Sequence, residues 1–221
     1  MGPMTLTDLK AGVLATLILG TIALCPTRSD ARDMQDMIVA GGCFWCVEAD
    51  FERVVGVSEV VSGYTGGTTA NPTYRQVTGG DTGHYEAVRI RYDADRVSYR
   101  QLLDLFFRFI DPTDAVGQFC DRGDSYRTAI FVSDNAELAA AEAAKSAAQS
   151  ELGRNIVTPL LQASAFYEAE DYHQDYYKGR DIVLTRRGPK SQAEAYKFYR
   201  DACGRDERVR QLWGSDAPFA G

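Results

Sequence analysis

Cysteine is scarce in this chain: five residues in 221, too few for a disulfide-built scaffold but enough for redox chemistry. Histidine is scarcer, with only His84 and His173, so a zinc site has few ligands to draw on. Basic residues are outnumbered, 24 Lys and Arg against 31 Asp and Glu. The resulting net charge of −7 leaves no positive footprint for phosphates and excludes nucleic acid as a partner class. The apolar run Ala11–Leu24 has 14 residues, short of the roughly 20 that a stable membrane span needs. No internal repeat and no low-complexity linker divides the chain. What is present is ordinary: 45% hydrophobic and 25% charged residues, the composition of a globular domain with an appendage.

The appendage is the N-terminus. Lys10 precedes the apolar run, and Ser29, Asp30 and Ala31 follow it as a small-x-small cleavage site. Residues 1–31 therefore read as an export signal, with residues 32–221 as a single working domain in the periplasm or outside the cell. Without such a signal the protein would be cytoplasmic. Cys25 has the bulky Leu24 before it, which disfavours a lipoprotein attachment site.

Along the working domain, Met37–Ala40 predicts a buried strand ended by Gly41 and Gly42. Apolar residues at Phe44, Val47, Phe51 and Val54 predict a helix over 43–54. Val57–Tyr64 reads as a strand and residues 65–72 as loop. Val88, Ile90 and Tyr92 alternate with Arg89 and Arg91, a half-buried strand with Glu86 at its head. Ser98 caps a helix with the stripe Leu102, Leu103, Phe106, Phe107 and Ile110, closed by Pro112. Residues 113–127 predict a polar loop, Thr128–Val132 a strand, and Ser133–Gly153 a helix opened by Asp134 and Glu137. Ile156–Leu160, with Pro159, predicts an edge strand, and Glu170–Lys178 a helix. From Gly179 onward the chain reads as a charged tail with little core. Strands interleaved with a few helices predict an α+β sandwich.

The chemistry concentrates at Cys43. A cysteine at a helix start meets unpaired N–H groups and the helix dipole, which favour its thiolate, the nucleophilic form. Phe44 and Trp45 follow it about 100° apart on the helix, so both cannot face the core and one lines a cavity beside the sulfur. Cys46 stands one turn along the same face. A Cys-x-x-Cys pair at a helix start is either a redox pair or half a zinc site. The remaining candidates (Cys120, Cys203, His84 and His173) are scattered, which disfavours zinc. Glu86, shielded at a strand edge, is a candidate general acid, and Tyr74 and Tyr126 are loop phenols able to donate hydrogen bonds.

These residues fall into motifs. Gly41-Gly42-Cys43-Phe44-Trp45-Cys46-Val47-Glu48, Gly63-Tyr64-Thr65-Gly66-Gly67, Asn71-Pro72-Thr73-Tyr74, Gly83-His84-Tyr85-Glu86-Ala87-Val88 and Glu170-Asp171-Tyr172-His173-Gln174 together strongly resemble peptide methionine sulfoxide reductases of the A class. The resemblance runs from about Ile38 to Tyr177, in that family's order. It implies a two-layer sandwich of ferredoxin-like type with one mixed sheet. It also implies reduction of the S epimer of methionine sulfoxide, free or in oxidised proteins, without metal or bound cofactor. By the same resemblance Cys43 is the catalytic cysteine, and Phe44 and Trp45 hold the S-methyl group. Glu86 protonates the sulfoxide oxygen, Tyr74 and Tyr126 hydrogen-bond it, and Asp121 anchors the substrate's backbone amide. The sequence departs from the commoner family pattern at Cys46, where glycine is usual. Cys46 is the first choice as resolving cysteine. Cys203, in a tail bearing Gly204, is the second choice or a relay, with Cys120 beside Asp121 as a further neighbour.

The implied partner is thioredoxin or a thioredoxin-like dithiol, and the expected state is a monomer. Two rival readings remain: a thiol–disulfide oxidoreductase using Cys43 and Cys46, and a non-enzymatic domain with structural bridges. Neither explains the tyrosine and glutamate motifs.

Overall fold

The computed structural model describes residues 33–220, so the expected export signal at 1–31 and Cys25 lie outside the described residues. The chain runs β1 (Met34–Gly41), α1 (Phe44–Phe51), β2 (Val57–Thr65), α2 (Tyr74–Gly79), β3 (Tyr85–Asp93), α3 (Tyr99–Phe109), β4 (Gly117–Gln118) and β5 (Asp121–Arg122). It continues through β6 (Thr128–Val132), α4 (Asn135–Leu152), β7 (Leu160–Gln162), β8 (Tyr167–Glu168), β9 (Ile182–Thr185), β10 (Gly188–Ser191), α5 (Gln192–Ala202) and α6 (Arg205–Trp213).

Six strands form one sheet in the order β7-β6-β1-β3-β2-β8. Its four central strands, β6-β1-β3-β2, carry α1 between β1 and β2 and α3 between β3 and β6, the βαββαβ order of a ferredoxin-like sandwich. Only β7 pairs parallel, with β6, through the α4 crossover, which makes the sheet mixed as expected. One face buries Val39, Val88, Ile90, Tyr92 and Ile130 against Phe51 of α1, Leu102 and Phe106 of α3, and Ile110 just after it. The period-2 alternation of β3 fixes this register. Val88, Ile90 and Tyr92 point to the core, and Glu86, sharing their parity, is carried inward with them.

Several elements differ from the sequence reading. Helix α1 ends at Phe51 rather than at residue 54. The edge strand begins at Leu160, after Pro159, so most of Ile156–Leu160 is irregular, although Ile156 is buried. Residues 170–178 are not one helix but two short 3-10 turns, Asp171–His173 and Tyr176–Lys178. Asp175 interrupts them at φ 55°, where its backbone N–H donates to the Glu48 carboxylate at 2.7 Å. The loop over 113–127 contains the β4–β5 hairpin.

The largest correction is the C-terminus. Residues from Gly179 form a hairpin and two helices that bury Ala195, Tyr196, Arg205, Val209 and Trp213. Their charge hides an amphipathic pattern, and a Ser191–Glu194 capping box starts α5. Cys203 therefore sits in a built turn closing α5, not in a mobile tail.

Candidate active site

The site begins at the exit of β1. Gly42 adopts φ +80°, and a Cβ there would lie 2.5 Å from Cβ of Gln118, so glycine is required for the close turn. The turn delivers Cys43 as the N-cap of α1, half-buried, with Phe44 and Trp45 on the first turn. Gln118 is fully buried and fixes the opposite wall by bonding the Asp111 N–H and the Asp111 and Gly117 carbonyls at 2.8–2.9 Å. Beside this turn lies a cavity of about 340 Å³. Cys43, Phe44, Trp45, Cys46, Tyr74, Glu86, Asp121, Tyr126 and Cys203 all line it, so the structure brings every expected site residue to one place. Phe119, Cys120, Tyr176, Tyr196, Tyr199, Arg200 and Arg205 complete the wall.

Phe44 is buried and Trp45 half-buried, the division expected of adjacent helical aromatics. Trp45 stacks on Tyr176 with ring centres 3.7 Å apart. His173 lies behind the wall, 5.0 Å from Phe44 and 4.4 Å from Tyr74 between ring centres. Burial pulls its pKa down to about 4, and neither ring nitrogen has a hydrogen-bond partner, so at neutral pH it packs as an uncharged aromatic. The Glu170 carboxylate accepts from the Tyr64 hydroxyl at 2.8 Å and the Tyr74 N–H at 2.9 Å. Gln174 bonds both the N–H and carbonyl of Ser62. The motif at 170–174 is thus a clamp that fixes Tyr74 and β2. The sequence marks these residues as a helix and as a family motif, with no role for the individual side chains.

Glu86 is 1% exposed, and burial pushes its carboxyl pKa up to about 8 against the opposing hydrogen bond from the Phe44 N–H at 3.2 Å. It is therefore largely protonated at pH 7. Its other oxygen, Oε1, and Trp45 Nε1 are buried without hydrogen-bond partners. Burial, with the nearby Glu86, raises the phenol pKa values of both Tyr74 and Tyr126, so both hydroxyls remain proton donors.

The sulfurs depart from expectation. Cys43 and Cys46 are free and both line the cavity. The neighbouring Cys46 thiol, burial, and the charges of Glu86 and Asp121 push the Cys43 thiol up. The Cys43 thiol in turn, with Arg205 and Arg200 opposing burial, pulls Cys46 down to about 7. The pair holds its anion chiefly at Cys46, and the helix start alone does not hold a thiolate on Cys43. Cys120 and Cys203 are joined in a disulfide on the exposed side of the cavity.

Two clusters of metal-ligand type occur among the described residues: Cys120, Asp121 and Cys203, and Glu48, Glu52 and Asp175. In the first the two sulfurs are bonded to each other. In the second the carboxylates already bond Ser62, the Asp175 N–H, Tyr177 and Lys178.

The family description "Peptide methionine sulfoxide reductase" matches residues 35–213 of the chain. The chain belongs to the peptide methionine sulfoxide reductase family. As a reductase of this family it is an oxidoreductase acting on methionine sulfoxide. It is similar to "Peptide methionine sulfoxide reductase MsrA 2" of Rhizobium meliloti, 47% identical over 93% of this chain and 97% of that one. It is also similar to "Peptide methionine sulfoxide reductase MsrA" of Bacillus licheniformis, 46% identical over 79% of this chain and 91% of the relative. Among solved structures, reduced Mxr1 of Saccharomyces cerevisiae superposes on the reductase with a TM-score of 0.63 at 30% identity, over 67% of this chain and 86% of that one. Methionine sulfoxide reductase A of Corynebacterium diphtheriae gives 0.59 at 30% identity, over 66% and 74%. Among the described residues, no helix is long and apolar enough to cross a membrane.

Proposed function

We propose that the reductase works on the S epimer of methionine sulfoxide with Cys43 as nucleophile, Glu86 as acid and Cys46 as resolving cysteine. The observation that carries this reading is the buried, protonated Glu86 carboxyl whose free Oε1 shares the cavity with the Cys43 sulfur. A sulfoxide sulfur is a poor electrophile until its oxygen is protonated or strongly hydrogen-bonded. Glu86 supplies the proton and the two phenols the hydrogen bonds, while Phe44 and Trp45 hold the methyl group and Asp121 the backbone amide.

Cys43 passes its proton to Cys46 and attacks the sulfoxide sulfur. Oxygen, with the Glu86 proton, leaves on Cys43 as a sulfenic acid, and methionine is released. Two electrons have passed from the Cys43 sulfur to the substrate sulfur. Cys46 gives up the proton it took from Cys43 and, as thiolate, displaces hydroxide from Cys43 to form a disulfide; that proton turns the hydroxide into water. The Cys120 and Cys203 thiols, when reduced, take over this disulfide by exchange. Their own disulfide, at the more exposed end of the cavity, is reset by a thioredoxin-like dithiol. Residues 32–221 form the working domain, and residues 1–31 direct its export.

Cys46→Ser and Cys203→Ser, followed separately through multiple turnovers with a small dithiol, test the assignment. Cys46→Ser should stall after one turnover while Cys203→Ser continues. The reverse pattern would make Cys203 the resolving residue.

A further inference from the structure

Arg205 is 2% exposed, in the first turn of α6, on a segment whose sequence suggested no role. A buried guanidinium is costly unless paired. Its Nη atoms face the carbonyls of Gly41 at 3.4 Å and Phe109 at 3.1 Å, while Nε has no hydrogen-bond partner. The nearest ion-pair contact is Oδ2 of Asp50 at 3.9 Å. Asp50, however, is engaged more closely by Arg200, at 3.0 Å, and Arg200 also takes Asp206 at 2.7 Å. Both carboxylates are thus held by Arg200, which leaves Arg205 with carbonyl dipoles and the face of Phe119, 4.7 Å from its guanidinium carbon to the ring centre. Asp50 sits one turn after Cys46 on α1, and Arg200 and Arg205 share the cavity wall with Cys46.

We propose that Arg205, supported by Arg200 and Asp50, is a positioning residue for the sulfur chemistry: it holds the anion of the Cys43–Cys46 pair at Cys46, poised to close on Cys43. The inference rests on the resolving role given to Cys46 above. The groups facing that sulfur are Cys43 and Asp50 of its own helix segment, Arg200 and Tyr196 of α5, Arg205 of α6 and Glu86 of β3. Asp121 faces Arg205 from β5. Of these, the two arginines favour the Cys46 thiolate electrostatically, in line with its lowered pKa, while Asp50 opposes it. Once Cys43 is oxidised to the sulfenic acid it no longer shares a proton with Cys46, and the arginines keep Cys46 charged for the closing step.

The test is the rate of disulfide closure after one turnover, read from free-thiol loss across pH 5.5–9.5. The full chain is used as Arg205→Met, Arg205→Lys and Cys46→Ser variants beside the parent. Removing one nearby cation should move the Arg205→Met rate profile up by about one pH unit, a loss of about fivefold at pH 7, approaching about tenfold at the acid end and vanishing at high pH. Arg205→Lys should keep the parental profile. A parental profile in Arg205→Met, or a Lys variant as slow as Met, overturns the proposal. If Arg205→Met does not fold, Arg200→Met carries the same test with the same overturning result. Failure of the underlying reading shows differently: Cys46→Ser would then lose thiols at the parental rate. An unshifted Arg205→Met beside a stalled Cys46→Ser refutes only the arginine role.

Discussion

At the scale of single residues, the site runs on two groups held away from their ordinary ionisation. The raised Glu86 and the lowered Cys46 bracket neutrality, so activity should rise through about pH 7 and fall above about pH 8. A steady-state pH profile checks this, and a plateau extending past pH 9 would count against Glu86 as the proton donor. Glu86→Gln keeps an acceptor for the Phe44 N–H but has no proton to give, and should lose about 10²–10⁴-fold in activity. Its stability should move the other way. The folded carboxyl stays protonated from its unfolded value of 4.5 up to about 8, so the parent loses stability as pH rises through that window. The loss is at most ~1.4 kcal/mol per pH unit, and the variant escapes it. Denaturation of both proteins at pH 5 and pH 8 should show the gap opening with pH.

At the scale of elements, the central sheet was legible because hydrophobic periodicity decides it. The strict alternation of β3 and the stripe of α3 each have one buried solution. Cys43, Glu86, Tyr74 and Tyr126 were legible as chemistry, and the family resemblance assigned them to one site. The elements that failed are those set by tertiary hydrogen bonds. Residues 170–178 carry helix-compatible residues, yet Gln174 is committed to Ser62 and Asp175 to Glu48, and these bonds outweigh propensity. Helices α5 and α6 were hidden because their buried face includes Arg205 and Tyr196, which composition counts as polar or interfacial. Gln174→Ala would leave the Ser62 N–H and carbonyl and the Ala169 carbonyl without that partner. It should destabilise the protein by about 2–4 kcal/mol, measured by chemical denaturation. Activity should also fall, through displacement of Tyr74. A change under 0.5 kcal/mol would show that the clamp is not structural.

At the scale of the whole molecule, the Cys120–Cys203 disulfide joins the β4–β5 hairpin to the α5–α6 turn across 83 residues. It ties the C-terminal helices, with Arg200 and Arg205, to the rim of the cavity. A bridge closing so long a loop contributes up to ~4.5 kcal/mol through the unfolded chain. A Cys120→Ser/Cys203→Ser double variant should therefore melt lower than the oxidised parent. It should still complete one turnover, and should lose more rate with a thioredoxin-like protein than with a small dithiol. Equal rates with both reductants would remove the pair from the electron path.

The central claim is that the Cys43 sulfur itself removes the oxygen. The direct measurement is mass spectrometry of reduced Cys46→Ser/Cys120→Ser/Cys203→Ser protein after one equivalent of S-methionine sulfoxide and a sulfenic-acid trap. One trapped adduct is expected, on Cys43, with one equivalent of methionine formed. Methionine formed without an adduct on Cys43, or still formed when Cys43→Ser is added, would contradict it.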